Sequence, residues 1–172
     1  MATASSNELA DKVALVTGAA RNIGRAIALA LAAGGAAVAV NARTSREDAE
    51  KVAQEIRAAG GLAEVYLADI ADGAAVKSMV DGILKRFGRV DILVLNASVR
   101  SEKPFTELSY EEWRRPLAIT LDGAFHCAQA CLPSMLENGA GAIVTLGGMQ
   151  SLSGAKHRVH GSVAKHGLVG MT

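Results

Sequence analysis

The stretch that decides the fold is VALVTGAARNIGR, residues 13–25. Its first five residues, 13–17, carry no charge and are apolar up to Thr17, which is typical of a central parallel strand covered on both faces. Gly18 allows a tight turn directly after this strand, and Gly24 allows the next helix to pack closely against it. The stretch therefore predicts a strand, a glycine-rich turn and a helix whose N-terminal amides can hold a pyrophosphate.

The rest of the chain alternates strands and helices in the same way. Short apolar runs predict four more strands, at 36–40, 62–68, 90–95 and 142–146. Helical spacing of apolar residues predicts helices at 25–33, between Ser45 and Gly60, at 72–87, at 109–136 and from Val163 onward. This order predicts an α/β fold, a Rossmann-like doubly wound parallel sheet with helices on both faces. No linker divides the chain, so residues 1–172 are predicted to form a single dinucleotide-binding domain.

Local signals at three positions refine the predicted helices. Ser45 with Asp48, and Ser109 with Glu112, each resemble a capping box at the start of a helix. Pro116 is expected to kink the long helical stretch near its start, because proline lacks the backbone N–H that the helix needs.

The composition excludes several classes of function. The 172 residues contain 18 Lys and Arg against 17 Asp and Glu, so a net charge of +1 gives no basic field for nucleic acid or an anionic membrane. No apolar segment is long enough for a membrane span or resembles a secretory signal. Cys127 and Cys131 lie four residues apart on a helical run, where a disulfide is implausible, so we expect reduced, buried thiols in a cytoplasmic protein.

The motifs together resemble the classical short-chain dehydrogenase/reductase family, whose glycine loop reads T-G-x-x-x-G-x-G. The matching residues are Thr17 to Arg25, Asp69-Ile70, Leu95-Asn96-Ala97-Ser98 and Lys165. The resemblance implies an NAD(P)-dependent oxidoreductase that transfers hydride between nicotinamide and a small carbonyl or alcohol substrate. In the family, the aspartate at the position of Asp69 contacts the adenine amino group. The Asn-Ala pair at the positions of Asn96 and Ala97 lines the nicotinamide side. Asn22 stands where the middle glycine is usual, and asparagine tolerates left-handed backbone angles well.

The resemblance also implies which residues hold the cofactor. They are Gly18, Arg21, Asn22, Ile23, Gly24, Arg43, Asp69, Ile70, Asn96, Ala97, Ser98 and Lys165. An NAD site places a carboxylate at the end of the second strand, but Arg43 stands there. No carboxylate lies between the end of that strand and Glu47. A guanidinium can pair with a 2′-phosphate instead, so NADP is favoured over NAD, with Arg46 as a further basic candidate. The alternative is that these arginines are solvated surface charges.

The catalytic positions depart from the family pattern. The family uses a tyrosine acid, a lysine four residues later, a serine that holds the carbonyl and an asparagine that supports a water relay. Lys165 matches the lysine, but Gly161 stands at the tyrosine position, Gly148 at the serine position and Thr120 at the asparagine position. The usual family mechanism therefore cannot operate in this chain as it stands.

Other side chains could substitute for the missing groups. His160 precedes Gly161 and is a competent acid near neutral pH, so His160 and Lys165 are the candidate catalytic residues. His157 would share the face of Gly161 if the helix extended that far. Ser98 and Ser151 are candidate carbonyl donors. The alternatives are surface histidines and ordinary loop serines, and no metal site is predicted because the two histidines lack further ligands nearby.

Two accounts of the function therefore remain open, an oxidoreductase with a rearranged acid and a non-catalytic cofactor-binding or assembly protein of the same fold. The resemblance implies a homo-oligomer, a dimer or a tetramer, for which the helical face of Ala124, Cys127, Ala128 and Cys131 is suited unless it is simply core. The family continues beyond residue 172 with further strands, so the chain resembles a version truncated at the C-terminus, with strand five as an exposed edge. Arg100, Lys103 and Lys156 suggest an acidic or phosphorylated substrate, or are merely solvated.

Overall fold

The chain forms five strands and six helices over residues 7–172, the part that the computed structural model describes. The strands are β1 Val13–Val16, β2 Ala37–Ala42, β3 Ala63–Leu67, β4 Ile92–Leu95 and β5 Ala142–Thr145. The helices are α1 Asn22–Ala33, α2 Arg46–Ala58, α3 Gly73–Phe87, α4 Tyr110–Leu117, α5 Gly123–Glu137 and α6 Val159–Val169. A π-helical turn, Ala118–Asp122, separates α4 from α5, and short 3-10 turns lie at Phe105–Glu107 and Met149–Ser151.

All neighbouring strands pair in parallel, in the order β3-β2-β1-β4-β5. One apolar cluster packs α1 and α2 against one face of the sheet, through residues such as Ala28, Val52 and Ile56. A second cluster covers the opposite face with α3 and α5, through residues such as Ile83 and Cys127. The predicted Rossmann-like, doubly wound sheet is confirmed, and its strand order reverses between β1 and β4.

Several element boundaries differ from those predicted. α1 begins at Asn22, three residues before the predicted start, and Asn22 has the left-handed φ of 51° that its residue type tolerates. α6 begins at Val159, four residues before the predicted start. The sequence pattern missed this first turn because it is rich in polar and glycine residues, and the buried His160 lies within it.

The helix starts show one correct capping prediction and one wrong one. The Ser109 Oγ accepts the Glu112 N–H at 3.2 Å, and the Glu112 carboxylate accepts the Ser109 N–H at 2.9 Å, so this capping box is confirmed. Hydrogen bonds from Lys103 and then from Ser109 lower the pKa of Glu112 to about 2. Ser45 occupies the N-cap of α2 but its side chain makes no capping bond, because its backbone (φ −77°, ψ 66°) lacks the extended geometry of a capping residue.

The predicted break in the long helix takes the form of the π-helical turn that directly follows the turn containing Pro116. Proline cannot donate to the carbonyl one turn earlier, so the regular ladder is interrupted there. Thr120 is buried within the π-helical turn and faces the loop after β4.

The face of α5 that suits either an oligomer contact or the core lies in the core. Ala124, Cys127 and Cys131 are each at most 1% exposed and pack with α3. Burial raises the pKa of both thiols to about 12, so they remain protonated and unreactive at neutral pH. Of the two alternatives for this face, the structure therefore supports the core, since a stripe of small residues on a helix fits a close-packed core as well as a partner chain. The free, buried state of both cysteines agrees with the prediction.

Strand β5 is an edge of the sheet, as predicted, and its Ile143 and Val144 are partly exposed. Within residues 7–172 no helix is both long and apolar enough to cross a bilayer. The same residues contain no group of three or more histidine, cysteine or acidic side chains close enough to hold a metal ion.

Asp91 joins three strands at the end of the sheet opposite the glycine loop. Its backbone N–H donates to the Val13 carbonyl at 2.9 Å, and its own carbonyl accepts from Ala142 at 2.8 Å. The carboxylate is 5% exposed and accepts from the Val13 N–H at 2.9 Å and from Arg89 Nε at 2.8 Å. Burial alone would raise the pKa of this carboxyl, but the bonds from Arg89 and Val13 outweigh burial and lower its pKa below the ordinary value.

The Asp91→Asn variant should lower the free energy of unfolding by about 2 kcal/mol at neutral pH, since it removes one partner of a buried, hydrogen-bonded ion pair. A lowered folded-state pKa stabilises the fold above the ordinary carboxyl pKa of about 4, and this stabilisation is lost as the pH falls through the folded-state value. The wild type should therefore lose more stability than the variant in urea unfolding below about pH 4.

The matched control is Asp81→Asn, because the Asp81–Lys77 pair is exposed on the surface of α3. We expect this control to change the free energy of unfolding by less than about 0.5 kcal/mol at neutral pH. Equal effects of the two substitutions would contradict the role given to Asp91.

Candidate functional site

A cleft of about 660 Å³ opens at the carboxyl ends of β1, β2, β3 and β4. It lies where the strand order reverses, and in open parallel sheets this is the crevice in which ligands bind. Eleven of the twelve predicted cofactor residues line it, namely Gly18, Arg21, Asn22, Ile23, Gly24, Arg43, Asp69, Ile70, Asn96, Ala97 and Ser98. The twelfth, Lys165, lies on α6 outside the lining.

The glycine loop is built by backbone conformations and contacts that few residues could provide. Gly18 has a φ of 63°, a left-handed angle that glycine adopts without strain. A Cβ added at Gly24 would stand 2.4 Å from the Gly18 carbonyl oxygen and 2.5 Å from Asn96 Nδ2. The loop therefore closes tightly on the start of α1, and residues 21–24 at that start line the cleft.

Thr17 and Asn96 hold this loop to the end of β4. Asn96 Nδ2 donates to the Thr17 carbonyl at 2.8 Å and to the Gly18 carbonyl at 3.1 Å. The Thr17 hydroxyl donates to the Val94 carbonyl at 3.2 Å and accepts the backbone N–H groups of Asn96 and Ala97, both at 3.0 Å. Asn96 therefore acts from beneath the loop, as a support for its backbone.

Asn41 is a structural part of the site that the sequence analysis did not identify. Its Nδ2 donates to the carbonyls of Tyr66 and Ala68 at 3.3 and 3.2 Å, and its Oδ1 accepts the Gly18 N–H at 3.3 Å. It is 2% exposed, so one buried amide joins the loop to the ends of β2 and β3. A polar residue inside the apolar strand AVAVNA was the available signal.

The rim of the cleft is basic. Arg21, Arg43, Arg100 and Arg115 line it, whereas Asp69 is the acidic residue in its lining. The Arg43 guanidinium lies 4.0 Å from the Asp69 carboxylate, and both side chains are about half exposed, so the pair is weak. Arg46, the further basic candidate, is not part of the lining.

The predicted catalytic residues lie beside the cleft on α6. Lys165 is half-buried and its ammonium donates to the Leu146 carbonyl, next to the end of β5. Burial lowers the pKa of Lys165. His160 is 1% exposed and its Nε2 lies 2.7 Å from the hydroxyl of Ser101, a residue of the cleft lining. The structure thus places His160 behind Ser101.

Of the three other candidates, Ser98 lies in the cleft, whereas His157 and Ser151 do not line it. His157 has a φ of 60° and precedes α6, so it does not share a helical face with Gly161. The Ser151 hydroxyl donates to the Gly148 carbonyl at 2.6 Å within its own turn. Ser98 lines the cleft and accepts a bond from the Thr120 hydroxyl at 3.3 Å.

The position that carries serine in the family has a backbone suited to glycine. Gly148 has a φ of 88°, a left-handed angle that would strain a residue with a side chain.

The basic residues that suggested an acidic substrate are partly neutralised. Lys103 donates to both carboxylate oxygens of Glu112, at 2.7 and 2.8 Å. Arg100 lies 3.6 Å from Glu102. Lys156 is exposed outside the lining of the cleft. Within residues 7–172, Arg21 and Arg115 are the lining arginines with no ion pair.

The Gly24→Ala variant should lose both stability and ligand binding at the cleft. The new methyl group would meet the backbone oxygen of Gly18 at 2.4 Å, so the loop must shift, at a cost of about 1–3 kcal/mol. Thermal unfolding and a nucleotide titration measure the two effects. Gly154→Ala is the control, because nothing lies within 4 Å of a Cβ added there, and an equal loss in both variants would contradict the close packing described for Gly24.

The comparisons with known proteins agree with this architecture. The family model described as short chain dehydrogenase matches residues 12–172. The 3-oxoacyl-[acyl-carrier-protein] reductase FabG of Staphylococcus epidermidis is 38% identical over 162 residues, which cover 94% of this chain and 66% of that protein. The D-threitol dehydrogenase of Mycolicibacterium smegmatis is 40% identical over 164 residues, which cover 95% of this chain and 63% of that protein.

A solved structure shows that this chain also shares its fold with a known protein. A crystal structure assigned to a short-chain alcohol dehydrogenase from Sinorhizobium meliloti superposes with a TM-score of 0.92 at 37% identity, covering 96% of this chain and 66% of that one. The chain thus spans slightly less than two thirds of the length of these relatives. With a family model matched from residue 12 to residue 172 and a fold shared with a solved member, the chain belongs to the short-chain dehydrogenase family.

Proposed function

We propose that the chain is an NADP-dependent oxidoreductase that acts on a small carbonyl or alcohol substrate. The observation that carries this proposal is the cleft at the sheet reversal, with its glycine loop, its open α1 N-terminus and its basic rim. Bound there, the nicotinamide cofactor would supply or accept the hydride.

The residues of the cleft fit the phosphates of a dinucleotide. α1 has no acidic residue in its first turn, and its N-terminal amides and positive dipole end favour an anion. Gly24 has no side chain, so the backbone of the loop can approach the pyrophosphate closely. Arg21, the N-cap residue, adds a positive charge at the same place.

Arg43 supports NADP rather than NAD. It follows β2 directly and lines the cleft, at the position where an NAD site needs a carboxylate for the ribose hydroxyls. A guanidinium is positively charged, so it attracts a phosphate and can donate two parallel hydrogen bonds to it. Its contact with Asp69 is long and exposed, so the guanidinium can turn to a 2′-phosphate at little cost.

The Arg43→Ala variant should weaken NADPH binding by about 10- to 100-fold and leave NADH binding nearly unchanged, because a charge-assisted pair contributes about 1.5–3 kcal/mol. Nicotinamide fluorescence titrations of the purified chain measure both dissociation constants. The control is Lys51→Ala, which removes an exposed positive charge on α2 outside the lining of the cleft. A wild type that prefers NADH, or equal losses for both variants, would overturn the assignment of NADP.

Lys165 is the family residue that remains at the catalytic centre. Its half-buried ammonium uses one of its hydrogens on the Leu146 carbonyl, which fixes the side chain and leaves its other hydrogens for the cofactor or the substrate. Burial lowers the pKa of Lys165, and a lower pKa makes the ammonium a better proton donor at neutral pH.

A second candidate function is cofactor binding without turnover. Gly148 and Gly161 favour it, because they leave the family's carbonyl-binding and acid positions without side chains.

NADPH oxidation in the presence of carbonyl compounds separates the two functions. The names of two relatives suggest the probes, a 3-oxoacyl thioester and a small hydroxyketone related to a four-carbon polyol. We expect turnover of at least one probe, and a decrease of about 100-fold or more in kcat for Lys165→Met. Lys77→Met, on the surface of α3, is the control. NADPH binding with no turnover of any probe would support the second function.

We further propose a homo-oligomer in the cytoplasm. Exposed apolar side chains on α5 and α6, such as Phe125, Leu132 and Val163, could contact a second copy. Two free cysteines are compatible with a reducing compartment.

A further inference from the structure

We infer that Ser101 and His160 form a proton relay that serves the substrate oxygen in place of the missing tyrosine. This inference rests on the proposed oxidoreductase function. Ser101 is the group that touches the substrate, and His160 acts through it from the first turn of α6.

The contact between the two side chains is short and well placed. Ser101 is exposed and lines the cleft, whereas His160 is 1% exposed behind it. The Ser101 Oγ lies 2.7 Å from His160 Nε2, a distance typical of a strong hydrogen bond between a hydroxyl and an imidazole. His160 Nδ1 has no partner in the part of the chain that the structure describes, so the ring's polar contact there is with Ser101.

A buried histidine with one unsatisfied nitrogen needs an explanation, because burial of an unpaired polar group is unfavourable. An apolar residue of similar size could fill the same space at the start of α6 without that cost. A function for the Nε2 atom explains the presence of imidazole, and the atom that it faces belongs to the cleft.

The loop that carries Ser101 is fixed to the segment that carries His160. The Lys103 N–H donates to the His157 carbonyl at 2.8 Å, and Arg158 forms an ion pair with Glu102. Ser101, Glu102 and Lys103 thus contact His160, Arg158 and His157, respectively. This arrangement holds the Ser101 hydroxyl between the cleft and α6, as a relay requires.

The location agrees with the chemistry that the site lacks. His160 is adjacent to Gly161, where the family has its acid, and Lys165 lies on the same helix. Ser101 supplies a hydroxyl in the lining of the cleft, whereas Gly148 and Gly161 supply none.

The relay balances for alcohol oxidation. The substrate hydroxyl gives its proton to the Ser101 Oγ while the Ser101 hydroxyl proton moves to His160 Nε2. The C–H bond of the carbinol carbon breaks, its hydrogen leaves as hydride with the electron pair to the nicotinamide of NADP⁺, and the C=O bond forms. The alcohol is oxidised and NADP⁺ is reduced. In carbonyl reduction every step reverses. Because His160 is buried, it exchanges its proton with solvent through the exposed Ser101 hydroxyl after the product has left the cleft.

Four variants test the relay, with NADPH titration, thermal unfolding and steady-state turnover measured on each. Ser101→Ala removes the hydroxyl, and Ser101→Thr keeps it. His160→Gln keeps a hydrogen-bonding group for Ser101 but cannot carry a proton. We expect Ser101→Ala and His160→Gln to lower kcat by about 100-fold or more, and Ser101→Thr to stay within about 10-fold of the wild type. His166→Gln, on the same helix, is the control and should keep the wild-type kcat.

The NADPH dissociation constant should change by less than about twofold in all four variants, because the relay acts on the substrate and leaves cofactor binding untouched. Ser101 is exposed, so Ser101→Ala keeps the fold even if a change at the buried His160 does not.

Two results would overturn the relay while leaving the proposed oxidoreductase in place. They are wild-type kcat in Ser101→Ala, and wild-type kcat in His160→Gln, which would make the pair a structural contact between the loop and α6. NADPH binding without turnover by the wild type would overturn the relay and leave a cofactor-binding protein. Absence of NADPH binding would overturn the proposed function itself.

Discussion

The side-chain amide of Asn96 is the contact on which the cleft depends. It holds the carbonyls of Thr17 and Gly18 at 2.8 and 3.1 Å, and so joins the end of β4 to the loop that leaves β1. The amide leaves no room for a methyl group at Gly24, whose added Cβ would stand 2.5 Å from its nitrogen. The glycine is therefore required by a residue 72 positions away, and the pair positions the start of α1 in the lining of the cleft.

The fold could be predicted well from the sequence, because the signals that specify its helices lie within short segments of the chain. The apolar period of α3, its end at Gly88 and the capping box at Ser109 all depend on residues within a few positions of each other, and all are present. Helix boundaries were less predictable. The first turn of α6, which begins at Val159, contains the buried His160, and no local pattern indicates the contact of His160 with the distant Ser101. The core position of Cys127 was ambiguous for a related reason, since helical spacing identifies a face but not what covers it.

The residues of the site also differ in how well the sequence predicted them. The cofactor residues lie in the loops that directly follow strands, so their positions followed from the motif and the topology. Asn41 was missed as a part of the site, because its bond to the Gly18 N–H spans 23 residues of sequence. The contact of Ser101 with His160 was missed for the same reason, since it spans 59 residues. Gly148, Gly161 and the candidate acid His160 were identified from the sequence, but the Ser101 hydroxyl that contacts His160 was not. The loop 100–103 had to be placed against α6 before the contact between serine and histidine appeared.

We expect the nicotinamide cofactor to bind in the cleft between the ends of β1 and β4. The most direct measurement is a titration of the ¹⁵N-labelled chain with NADP⁺, followed by amide chemical shifts. We expect saturable changes at residues 18–24, at Arg43, at Asp69 and Ile70, and at 96–98, and no change in the edge strand 142–145. No change at these amides, or changes confined to other surfaces, would contradict it.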